Sequence, residues 1–155
     1  MPAAYRIIDE PAPAALERTI VNPTWPLLAS MFAGSWLAFP WFVLNAFALG
    51  GRRRFADLGL ALAGWLTSGL ILVGILQLLS DMTLTERGLP YALLAPVGVR
   101  LVVVYWLFLR QLQTFEIYTH FGGATRSGLF VVIAGGLLRG SVMGALPDFW
   151  QAVLS

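Results

Sequence analysis

Arg100 and Arg139 are the residues in this sequence whose type and position most demand a chemical explanation. Each lies about eleven residues into an otherwise apolar run, Leu89–Leu109 and Leu129–Leu146. In a bilayer that depth is the mid-plane, where an arginine costs roughly 2.5–3.5 kcal/mol on insertion scales. A buried carboxylate is the usual partner, yet no Asp or Glu lies inside any of the long apolar runs. Three ways to satisfy the guanidiniums remain open. One is hydroxyls and backbone carbonyls, with Thr67 and Ser68 at about Arg100's depth. The others are an acid on a partner protein, and a bound anion or lipid phosphate. Snorkelling towards a headgroup is the plain alternative.

Helical spacing sets Arg100 on one face with Leu107, Gln111, Thr114 and Tyr118. That stripe is either the bundle-facing edge of a long helix or a polar path towards one membrane surface. Arg100, Arg139, Gln111 and Tyr118 are therefore the candidate anion- or lipid-binding residues. Gly136, Gly140 and Gly144 repeat at four-residue spacing, the small-xxx-small pattern that lets two helix backbones approach closely. They are the candidate helix-packing residues, within the chain or between copies.

Other chemistry is poorly provided for. There is no cysteine and a single histidine, His120, so no metal or haem ligand set is expected. No cofactor is expected either: the glycines at 122, 123 and 128 do not have phosphate-loop spacing. No catalytic residue is assigned, and an enzyme would have to use the neighbourhood of Glu116, Tyr118 and His120. A net charge of +2 gives no ground for nucleic-acid binding. All ten basic residues are arginine, which we read with the Ala, Leu and Gly richness as the imprint of a GC-rich bacterial genome.

The elements that must carry these residues follow from composition. Of 155 residues, 58% are hydrophobic and 12% charged. A water-soluble domain carries about twice that charge, so the surplus apolar surface is expected to face lipid. Thr19–Gly51 holds no charge, and within it 25–49 reads as a span. At a rise of about 1.5 Å per residue it reaches about 37 Å against a core of about 30 Å, with Pro40 expected to kink it. Asn45 near its end reads as a helix-packing hydrogen bond. Spans follow at 58–80, at 89–118 with an extension beyond the lipid, and at 129–146. In lipid such runs are helices. Residues 1–23 form an extracytoplasmic tail without the apolar core of a secretory signal.

The expectation is a single all-α, polytopic membrane domain over 1–155, with four transmembrane helices in a bundle. Arg52–Arg54 and the Arg110/Arg126 segment fall on one side of it, while the tails and the 81–88 loop are mildly acidic. Arginine excess marks the cytoplasmic side, which makes the chain N-out and C-out in a bacterial inner membrane. The leading functional expectation is a non-catalytic subunit packing into a homo-oligomer or a larger complex. The alternatives are a channel, carrier or binding protein for anions or anionic lipids, and a membrane enzyme with a cytoplasmic-side site.

Overall fold

The computed structural model describes residues 19–81 and 87–154, so the acidic balance expected of 1–18 and of 82–86 lies outside the described residues. Within them the chain is helical: α1 (Thr24–Phe32), α2 (Ser35–Leu49), α3 (Arg54–Ser80), α4 (Leu89–Ala92), α5 (Leu94–His120), α6 (Leu129–Gly144) and α7 (Asp148–Leu154). A lone bridge between Val21 and Arg126 is the only β pairing among these residues.

α3 and α5 form the frame. With α4 running almost directly into α5, these are two helices long and apolar enough to cross a membrane. They lie antiparallel, paired from Asp57 against Arg110 to Gly64 against Val103. A Cβ on Gly64 would sit 2.9 Å from Val103 and 3.1 Å from Phe39, so the missing side chain is what lets α2, α3 and α5 meet. Phe39, Phe42, Ala61, Val104 and Leu107 fill that junction. The opposite faces carry exposed Leu62, Leu66, Leu70, Leu101, Val102 and Trp106.

The segment 25–49 departs from expectation. It is two antiparallel helices and not one crossing span. Ile20 packs with Ala48, Leu49, Phe115 and Tyr118, so the chain returns to the end of the bundle from which it set out. The turn is at Ala33–Gly34, where Gly34 has φ 103° and ψ −179°, a region essentially reserved for glycine. The Ala29 carbonyl accepts from both Ala33 N and Gly34 N, at 2.8 and 3.0 Å, and closes α1. Pro40, the expected kink, sits inside an unbroken α2. Its missing N–H falls on an exposed side of the helix, whereas Gly34 supplies a backbone conformation no neighbour could adopt.

Two consequences follow for the expected arrangement. Residues 19–23 lie at the Arg52–Arg54 end, opposite to where four crossings would put them. α6 starts at that same end, where Arg126 N donates to the Ile20 carbonyl. α7 then folds back, bringing Val153 into the bundle beside Ser35. The hairpin from one end and α7 from the other therefore meet partway along the α3–α5 frame.

Candidate functional site

Three places hold the polar groups. The first is the meeting point of the hairpin and α7. Arg100, on the inner face of α5, donates from Nη1 to the Val153 carbonyl at 3.3 Å and from Nε to the Pro96 carbonyl at 3.4 Å. Ser35 Oγ donates to the Leu154 carbonyl at 2.9 Å. The guanidinium thus sits at the C-terminal end of α7, where unpaired carbonyls concentrate partial negative charge. Thr67 is exposed, and Ser68 Oγ donates to the Gly64 carbonyl of its own helix, so the hydroxyls expected opposite Arg100 are not its hydrogen-bond partners. Arg139 makes a long contact, 3.5 Å from Nη1 to the Phe32 carbonyl at the hairpin tip. Each arginine keeps its own carbonyl.

The second place is a buried amide pair one level nearer the hairpin's open end. Asn45 Nδ2 donates to Gln111 Oε1 at 3.1 Å, and Gln111 Nε2 donates to the Phe42 carbonyl at 2.7 Å. Asn45 Oδ1 accepts from Val21 N at 3.1 Å. One amide pair therefore fixes α1's lead-in, α2 and α5 together. Gln111 and Tyr118 share the buried stripe of α5 with Arg100, Leu107 and Phe115, and Tyr118 donates from Oη to the Ala124 carbonyl at 3.2 Å. The polar seam is the bundle-facing edge of the helix. Glu116 and His120 are exposed on the other side and are not brought together with Tyr118.

The third place is a cavity of about 440 Å³ where α2 ends, α3 begins and α5 passes. Its wall holds Arg52, Arg53, Arg54 and Arg110 against the single acid Asp57, with Gln113 and Thr114 beside them and Ala46, Leu49 and Ile117 as its apolar part. Arg110 Nε donates to Asp57 Oδ1 at 2.7 Å. Its Nη2 is buried and has no hydrogen-bond partner among the described residues. Arg54 is held over the rings of Phe47 and Phe55, 5.6 and 5.2 Å from their centroids, a cation–π arrangement.

Sequence reasoning missed this cavity and its ion pair. A signal was present: Asp57 and Arg110 bound their apolar runs at nearly equal distances from the 81–88 loop, so antiparallel pairing brings them level. Among the described residues, Gly136 reaches only Phe32, at 3.9 Å, and Gly140 and Gly144 have nothing within 4 Å. The glycine of α6 that packs within the chain is Gly135, against Leu37 and Ala33. No cluster of three or more His, Cys, Asp or Glu side chains that could hold a metal occurs among the described residues. The chain matches no protein-family model, no curated protein and no solved structure.

Proposed function

We propose that this protein is a non-catalytic, multi-pass subunit of a bacterial inner membrane that assembles with copies of itself through α6. α3, α5 and α6 cross the bilayer, the α1–α2 hairpin re-enters from the arginine-rich, cytoplasmic end, and α7 folds in from the other side. The two long helices turn most of their apolar surface outward, and lipid is the solvent that such a surface fits.

The observation that carries the assembly is the free side of α6. This helix packs on α1, while Gly140 and Gly144 stand open next to exposed Leu137. Small residues at four-residue spacing on a membrane helix permit close backbone contact with a second helix, and none of the described helices occupies that face.

Single-molecule photobleaching in liposomes tests the reading. Gly140→Leu/Gly144→Leu should turn multi-step bleaching into single steps while leaving the melting temperature of the monomer nearly unchanged. Gly135→Leu, which meets Leu37 and Ala33, should instead lower that melting temperature. Single-step bleaching of the unaltered protein at every protein-to-lipid ratio sinks the assembly.

A further inference from the structure

We infer that the cavity between α2, α3 and α5 is a binding site for a phosphate group, with Arg52, Arg53 and Arg110 as its ligands. The argument starts from Arg110. Its Nε is committed to Asp57 at 2.7 Å, which fixes the plane of the guanidinium. Nη2 is left buried without a partner among the described residues, in a side chain that lines the cavity. A buried donor without an acceptor is rare in a folded protein, because its lost hydration is not returned. An oxyanion that drew Nη2 round towards the cavity would return it.

Charge points the same way. Asp57 neutralises one of the four arginines in the wall, so the cavity keeps a strong positive excess. Arg52 and Arg53 are exposed at the mouth and free to close on an anion, while Arg54 is held over two aromatic rings. Arginine forks match phosphate oxygens in pairs, where a carboxylate offers fewer acceptors. Thr114 and Gln113 add neutral hydrogen-bonding groups. A volume of about 440 Å³ holds more than a bare phosphate, and Ala46, Leu49 and Ile117 give the remainder an apolar wall. The site lies where the apolar outer faces of α3 and α5 give way to the loops, the depth of a lipid's phosphate. The lipid form of the inference rests on the membrane location proposed above. It is independent of assembly through α6.

Native mass spectrometry of the detergent-purified protein tests it, with phosphatidylglycerol, phosphatidylcholine and inorganic phosphate as probes. The expected result is one phosphatidylglycerol retained at least about tenfold more tightly than phosphatidylcholine. Arg52→Gln/Arg53→Gln, two exposed changes, should abolish that preference, whereas Arg139→Gln should leave it intact. Arg110→Gln should abolish it as well, with circular dichroism reporting whether Asp57, left unpaired, has unfolded the bundle. If inorganic phosphate displaces the lipid and alone raises the melting temperature of the unaltered protein but not of Arg52→Gln/Arg53→Gln, the phosphate comes from solution. Equal retention of both lipids with no effect of inorganic phosphate overturns the site. So does a preference that survives Arg52→Gln/Arg53→Gln. Loss of assembly in the α6 variants with lipid preference retained would leave the site standing.

Discussion

Arg100 Nη1 lies 3.3 Å from the carbonyl oxygen of Val153, so a charge in the middle of one helix is satisfied by the end of another that is 53 residues away in sequence. Truncating the arginine removes a charge-assisted hydrogen bond, a contribution of about 1.5–3 kcal/mol to the docking of α7. Val153 is 5% exposed, which makes it a reporter of that docking. In a Val153→Cys background, Arg100→Leu should speed alkylation by a membrane-permeant maleimide by about tenfold or more. Labelling at the same slow rate in both proteins would mean that apolar packing alone holds α7.

The re-entrant hairpin has a side-specific consequence. Single cysteines at Thr24, Arg53 and Ala124 should react with an impermeant maleimide from one face of sealed vesicles, and Ser80→Cys from the other. Gly34→Ala forces a side chain into φ 103°, at a cost of about 1–3 kcal/mol. It should lower the melting temperature, and Pro40→Ala should not. Reaction of Thr24→Cys from the Ser80 face would restore a single crossing by 25–49 and remove the hairpin.

The Asp57–Arg110 pair should behave as a coupled unit. Asp57→Asn leaves the half-buried Arg110 guanidinium without its anion, and the loss of stability should be about 1–3 kcal/mol. Arg110→Gln leaves a buried carboxylate and should cost at least as much. The double substitution should recover part of the sum, read as a double-mutant cycle by thermal melting in detergent. Additive losses would show that the two side chains do not support each other.

What the sequence revealed depended on whether a property is local. Long apolar runs, interrupted in α5 by Arg100, identified α3 and α5 as long helices because hydropathy reports burial in any apolar surroundings. Asn45 could be read as a packing hydrogen bond because a lone amide in such a run has few other uses. The same hydropathy was blind to the hairpin: Trp25–Leu49 is equally apolar whether it runs straight or doubles back. Proline gave the louder signal at 40, yet the turn is at Gly34, which in the sequence is one glycine among sixteen. Arg100 and Arg139 stood out because no carboxylate lies in their runs, and backbone carbonyls were one of the options open to them. Their partners are backbone carbonyls, which every residue has and no sequence pattern marks.

The hydrogen bonds of Ser35 and Arg100 to Val153 and Leu154 also impose an order in time. A chain made from its N-terminus releases the hairpin tip and the mid-helix arginine long before the carbonyls that satisfy them. Until residues 148–154 emerge and turn back, the guanidinium has only its own helix's Pro96 carbonyl, and the hairpin tip has no cover above Ser35. α7 thus acts as a latch set after the other described helices have been made, and a chain stopped before Asp148 would carry an open arginine at the heart of its bundle.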